Sequence, residues 1–148
     1  MNILPRYSVL IATRNRPDSL KLLLDSISRS TISPLEIVIV STGKPIEESL
    51  AIFSDRLPIK HFHISGFGQI RQKIHGISVL DTRADWILFL DDDLLLSPEA
   101  VREALNILIL RPDRHHVVGL GLSQIHHLNP TPKDVFIKLI GKFGYGQV

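Results

Sequence analysis

The chain exchanges short apolar runs with stretches in which apolar residues recur every three or four positions. Tyr7-Ser8-Val9-Leu10-Ile11-Ala12, Glu36-Ile37-Val38-Ile39-Val40 and Trp86-Ile87-Leu88-Phe89-Leu90 are continuous runs rich in strand formers. Such runs predict strands buried on both faces, as in a parallel sheet. Between the first two, Leu20, Leu23, Leu24 and Ile27 repeat at i, i+3, i+4 and i+7 and give one apolar helix face, with Asp18 placed to cap it. A second helix is predicted from about Pro45 to Phe53 and a short strand from Ile59 to His63. After Gly66-Phe67-Gly68 comes a helix with Ile70, Ile74 and Ile77 on one face. Ser97 as cap and Pro98 at the first helical position then open a helix carrying Val101, Ala104, Leu105 and Leu108, and Pro112 falls just beyond its end.

A further strand is predicted within His116 to Leu122. Beyond the turn Asn129-Pro130-Thr131-Pro132, a short helix is predicted from Asp134 to Ile140, and Gly141, Gly144 and Gly146 then break regular structure. The alternation as a whole predicts the α/β class, with a doubly wound, mostly parallel sheet and right-handed crossovers.

Length and composition narrow the picture without changing it. A chain of 148 residues, 44% hydrophobic and 22% charged, fits one globular domain, 1–148, and lies far from the composition of disorder. The 17 basic and 15 acidic residues are spread without a block of either sign, which argues against a nucleic-acid partner. Cysteine is absent, so disulfides and thiolate metal sites are excluded. The opening residues lack the pattern of a secretory signal, which makes cytoplasmic the default location. No apolar stretch approaches the roughly 20 residues of a transmembrane helix. Val135 to Ile140 is short enough for core packing, and peripheral attachment to a membrane or a partner is the alternative use.

The chemistry concentrates where the third long apolar run ends. Asp91-Asp92-Asp93 follow Leu90 directly, and open α/β sheets bind ligands just beyond the carboxyl ends of their strands. If the chain stays extended, Asp91 and Asp93 project to one side and Asp92 to the other. Two aligned carboxylates repel each other when bare, whereas a divalent cation stabilises both in the charged form. Thr13, Arg14 and Arg16 follow the first strand and belong at the same rim. Arg71 falls in the first turns of a glycine-led helix, where backbone N–H groups and a guanidinium can meet a phosphate. The pairs His115-His116 and His126-His127 are poor chelates, because adjacent side chains on a strand point to opposite faces.

These segments, in this order, resemble the inverting glycosyltransferases of family 2 with the GT-A fold, a Rossmann-like fold for nucleotide-diphospho-sugar transfer. Val9 to Pro17 is similar to the family's opening strand and Thr-Tyr-Asn-Arg-Pro-type loop, and Leu20 to Ile27 to its first helix. Glu36 to Val40 resembles its second strand. Ile70-Arg71-Gln72 with Gly76 is similar to its Ala-Arg-Asn helix, and Trp86 to Asp93 resembles its DXD metal segment. The resemblance implies a hexosyltransferase-type activity in which Asp93 and Asp91 hold Mn²⁺ or Mg²⁺. It also implies nucleotide-sugar contacts from Thr13, Arg14, Arg16, Ser41, Arg71, Asp91 and Asp92. A divalent ion would act as a Lewis acid on the leaving diphosphate.

One departure bears on specificity. Where the family carries an acidic turn after its second strand, this chain reads Val40-Ser41-Thr42-Gly43-Lys44. The acid that contacts uracil is missing, so nucleotide identity stays open, with Ser41 or Thr42 left to meet a base. The family's acceptor half and general base also lack a counterpart. Glu99, Glu103, Asp113 and Asp134 are the acids downstream of the carboxylates, and none sits in a matching segment. The chain reads as a donor-binding half, either a fragment or a shortened protein. Its acceptor, an unknown saccharide, lipid or protein, would be met by a minimal acceptor part or by a partner chain. The alternatives are a non-catalytic module that binds nucleotide or nucleotide-sugar, and a nucleotidyltransferase, which Ala12-Thr13-Arg14-Asn15 disfavours for want of a glycine-rich loop.

Overall fold

The computed structural model describes residues 4–66 and 68–110. The strand expected within 116–122, the helix expected over 134–140 and all four residues of the histidine pairs lie outside the described residues. Strands β1 (Tyr7–Arg14), β2 (Glu36–Thr42), β3 (Ile59–His63) and β4 (Trp86–Asp91) alternate with helices α1 (Pro17–Ser28), α2 (Glu47–Ala51), α3 (Gln69–Ser78) and α4 (Ala100–Leu110). The strands form one parallel sheet in the order β3-β2-β1-β4. The predicted doubly wound α/β architecture is therefore present. Among the described residues no helix is long and apolar enough to cross a membrane.

The sheet is buried through its two-residue alternation. Tyr7, Val9, Ile11, Ile37 and Ile39 face a core closed by Leu20, Leu23, Leu24 and Ile27 of α1 and by Val101, Leu105 and Leu108 of α4. On the opposite face Leu10, Val38 and Val40 pack with Phe62, Ile64, Val79 and Leu80. Each fully buried aliphatic side chain of this kind contributes roughly 1.5–3 kcal/mol. The strand centres β1 and β2 are buried on both faces, as continuous apolar runs require.

Three expectations are corrected. β4 is not covered on both sides: Trp86, Leu88 and Leu90 turn towards the larger core, while Ile87 and Phe89 are exposed. In the described sheet β4 is an edge strand next to β1, and α3 packs on β1 and β2 instead of β4. Nor is Ile70-Ile74-Ile77 the packing face of α3, for all three are exposed. The helix docks through Gln72 and Gly76, because a Cβ at residue 76 would overlap Leu10 Cδ1 and hold the helix off the sheet. Finally, α1 starts at Pro17 behind Arg16, so Asp18 lies in its first turn and makes no cap hydrogen bond, and α4 starts at Ala100, two residues beyond Pro98.

The amino ends of the strands are tied by one buried carboxylate. Glu36, whose side chain is 3% exposed, accepts from the Ser8 hydroxyl at 3.0 Å and the Asp81 backbone N–H at 2.5 Å, and lies 2.7 Å from Lys60 Nζ. This cluster joins β1, β2, β3 and the segment before β4, at the end of the sheet remote from the aspartates.

Candidate functional site

Strand register brings the predicted residues to one rim. Ala12 pairs with Asp91 on one side, Thr13 pairs with Ser41 on the other, and Ser41 pairs with His63. Thr13, Arg14 and Ser41, expected in loops, lie within longer strands, the first two closing β1 and Ser41 preceding the last residue of β2. The carboxyl ends of β4, β1, β2 and β3 thus form a continuous ledge, the place where open α/β sheets take ligands.

The three aspartates part company there. β4 ends at Asp91 and the chain turns at Asp92 and Asp93, so the extended alternation expected for them is absent. Asp91 faces α3: it accepts from Gln69 Nε2 at 2.8 Å and lies 3.5 Å from Lys73 Nζ. Asp92 is buried and accepts from the Thr13 hydroxyl at 2.7 Å and from Arg16 Nη1 at 3.2 Å. The same Arg16 nitrogen lies 3.2 Å from Asp93 Oδ2, and both of these side chains are more than half exposed. Arg16 therefore spans Asp92 and Asp93, while Asp92 fastens the turn to β1.

Two residues that sequence reading passed over hold this rim in shape. Gln72, buried under the sheet, donates through Nε2 to the carbonyls of Thr13 and Val40, at 2.8 Å each. Its position in the Ala-Arg-Asn-like helix segment was the available signal. Asn15, with φ of 56°, accepts the Lys44 backbone N–H at 2.8 Å and ties the loop after β1 to the loop after β2. Gly43 permits this approach, since its φ is 86° and a Cβ there would overlap Asn15 Oδ1. Gly43→Ala is expected to cost about 1–2 kcal/mol from the positive φ alone, measurable as a lower urea midpoint.

At the far side of the ledge, Ser41 Oγ lies 2.8 Å from His61 Nε2 and 3.1 Å from His63 Nδ1. Burial pushes the His61 pKa down, against the raising effect of nearby Glu47, whose carboxylate is 3.8 Å from His61 Nδ1. Arg71 is exposed near the start of α3, and a Cβ at Gly66 would lie 2.9 Å from its Nη1, so its guanidinium rests against the loop before the helix. Arg14 is exposed at the end of β1. Of the acids considered as a base, Glu99 is engaged with Thr31 and Arg102 beyond the far end of α1, and Glu103 lies in the first turn of α4. Asp113 and Asp134 lie outside the described residues.

Residues 8–130 match the family model for glycosyl transferase family 2. The chain belongs to that family. Among curated proteins, the putative glycosyltransferase EpsH of Bacillus subtilis is 29% identical over 107 residues, covering 69% of this chain and 30% of that protein. An uncharacterized glycosyltransferase of the same organism, YwdF, is 33% identical over 95 residues, covering 63% of this chain and 34% of its own. The chain thus spans about a third of the length of these relatives. Among solved structures, the mannosyltransferase PcManGT of Pyrobaculum calidifontis, in complex with GDP-Man and Mn²⁺, superposes with a TM-score of 0.66 at 17% identity. That match covers 75% of this family 2 chain and 34% of PcManGT. Residues 1–349 of TarS from S. aureus superpose with a TM-score of 0.64 at 20% identity, covering 80% and 38%; TarS has also been solved with UDP-GlcNAc. These likenesses establish the GT-A fold.

Proposed function

We propose that this family 2 domain holds the nucleotide-diphosphate sugar of a hexosyl transfer, with Mn²⁺ or Mg²⁺ bound at Asp91 and Asp93. The observation that carries the reading is the shared ledge: Asp91, Asp92 and Asp93 leave β4 beside Thr13 and Arg16, which leave β1. PcManGT, solved in complex with GDP-Man and Mn²⁺, and TarS, solved in complex with UDP-GlcNAc, support the ligand class by their shared fold.

The donor set suits such an ion on chemical grounds. Among the described residues no three His, Asp or Glu side chains converge on one point. Mg²⁺ and Mn²⁺ need no such cage, for they are commonly held by one or two carboxylates, with substrate phosphates and water completing the shell. When bound, the ion supplies Lewis-acid stabilisation of the leaving diphosphate. Asp91 and Asp93 are the exposed carboxylates that would hold it, the first now met by Gln69 and Lys73 and the second by Arg16, while buried Asp92 positions the turn through Thr13. Arg16, already at two carboxylates, and Arg71, at the start of α3, supply positive charge for phosphate oxygens. Arg14 adds a third guanidinium at the ledge. The base of the nucleoside is assigned to the far side of the ledge, at buried Ser41 and its two histidines.

No general base is recognised among the described residues, so acceptor activation is assigned to other residues or a partner chain, and the saccharide, lipid or protein acceptor is met there. A domain that binds donor without transferring sugar is the second reading, favoured by the engagement of Glu99 far from the ledge. Calorimetric titration of UDP, GDP and dTDP, with and without Mn²⁺, tests the proposal. Binding is expected only with metal, and Asp93→Asn is expected to weaken it about tenfold or more, or about 1.4 kcal/mol. Metal-independent binding, or an unchanged affinity in the variant, would remove Asp93 from the site.

A further inference from the structure

The helix beside the carboxylates is placed by two residues and aimed by the rest. Gly76 lets α3 close on Leu10 of β1, and Gln72 ties it to the carbonyls of Thr13 and Val40. One flank of the helix then meets β3, where the ring centroids of His75 and Phe62 stand 5.5 Å apart. The opposite flank is left facing β4. Gln69 and Lys73 are one helical turn apart on that flank, at i and i+4. Both reach Asp91 Oδ1, the amide at 2.8 Å and the ammonium at 3.5 Å. The two contacts differ in kind. Gln69 is a neutral donor that orients the carboxylate and tolerates a further ligand on it, whereas Lys73 is a point charge on a flexible four-carbon stem. The Lys73 side chain is 30% exposed, so most of it is covered by protein and the pair is screened less than one in open solvent.

We propose that Lys73 is an exchangeable counter-ion, which neutralises Asp91 until a divalent cation takes that carboxylate and then passes to the diphosphate. The proposal rests on the reading of Asp91 as a metal ligand at a nucleoside-diphosphate site. A divalent cation on Asp91 meets the Lys73 ammonium as a like charge a few ångströms away, and the repulsion drives the ammonium off. Mg²⁺ and Mn²⁺ are held by carboxylates and substrate phosphates together, so the ion that displaces Lys73 also brings an anion within reach of its stem. Arg16 is less free to move in this way. Its guanidinium meets Asp93 and also buried Asp92, and leaving would strip a buried carboxylate of a partner. Among the described residues the ion-pair partner of Lys73 is Asp91, which keeps the Gln69 amide when the lysine departs. Lys73 therefore opposes the metal by itself and assists it once a diphosphate is present.

Mn²⁺ binding to the full chain without nucleotide, read from the electron paramagnetic resonance of free Mn²⁺, tests the first half of the exchange. Lys73→Met keeps the stem and removes the charge, and it is expected to bind Mn²⁺ about threefold or more tightly than the native chain. Lys21→Met, which removes a charge from the Lys21–Asp18 pair on α1, is expected to leave Mn²⁺ affinity unchanged and separates a local effect from one of net charge. Calorimetric titration of UDP and GDP at saturating Mn²⁺ tests the second half. In Lys73→Met the affinity for the tighter-binding nucleotide is expected to fall about threefold or more. Tighter metal and weaker diphosphate in one variant are opposite signs that a loosened α3 would not produce. Unchanged or weaker Mn²⁺ binding in Lys73→Met, the same tightening in Lys21→Met, or an unchanged or higher nucleotide affinity would overturn the exchange and leave the donor site standing. Failure of both nucleotides to bind the native chain with Mn²⁺ would overturn the donor site and the exchange together.

Discussion

Gln72→Met is expected to destabilise the domain by about 2–4 kcal/mol, read as a fall in the urea midpoint with little change in slope. Methionine keeps the length and volume of the side chain, so packing against the sheet is nearly preserved. What is lost is the amide that donates to Thr13 and Val40 carbonyls beneath the rim. Each buried polar group deprived of a partner costs roughly 1–3 kcal/mol. The same change should reach the ledge, because Thr13 also holds Asp92, whose turn carries Asp93. A loss below about 1 kcal/mol would show that the sheet ladder alone satisfies both carbonyls.

The second large effect is expected at the opposite end of the sheet. Burial pushes the Glu36 carboxyl up, but hydrogen bonds from Lys60, the Asp81 backbone and Ser8 outweigh it and hold the pKa below the ordinary range. A carboxyl depressed on folding contributes stability that is complete above its unfolded pKa, near 4.3, and is lost as pH falls through the folded value. Stability of the native chain should therefore be level near neutrality and decline below about pH 5. Glu36→Gln removes the charge and part of the acceptor capacity at similar volume. It is expected to cost about 2–3 kcal/mol at pH 7, below the range for breaking a fully buried pair because Lys60 is half exposed. Its pH profile should be flatter than that of the native chain, and parallel profiles would show that Glu36 does not carry the acid sensitivity.

Much of this was legible because backbone and solvent leave little choice. The runs 7–12, 36–40 and 86–90 are rich in strand formers and too short for helices, and each is a strand, although β4 leaves Ile87 and Phe89 exposed. Leu20, Leu23, Leu24 and Ile27 mark the buried stripe of α1 without error. The expected site residues Thr13, Arg16, Asp91, Asp92 and Asp93 lie together at the carboxyl ends of β1 and β4. Where reading failed, a long-range contact had overruled a local pattern. The Ile70-Ile74-Ile77 stripe has perfect helical spacing, yet α3 docks through a glycine and a glutamine because close approach to Leu10 and two carbonyls needs a small residue and a double donor. The aspartate alternation failed because β4 stops at Asp91 and the next two residues answer to Arg16 and Thr13.

Local preference and periodicity in the sequence determined the element types and the parallel α/β class, and the order of the motifs carried the resemblance to family 2. The tertiary structure decided which carboxylate is buried, which cation it meets, that α3 leaves its isoleucines exposed, and that Ser41 is gripped by His61 and His63 from the neighbouring strand. Periodicity depends on residues a few positions apart, whose geometry the backbone dictates. Arg16 and Asp92 are 76 positions apart and Ser41 and His63 are 22 apart, and only the folding of strand beside strand brings such side chains within reach of one proton.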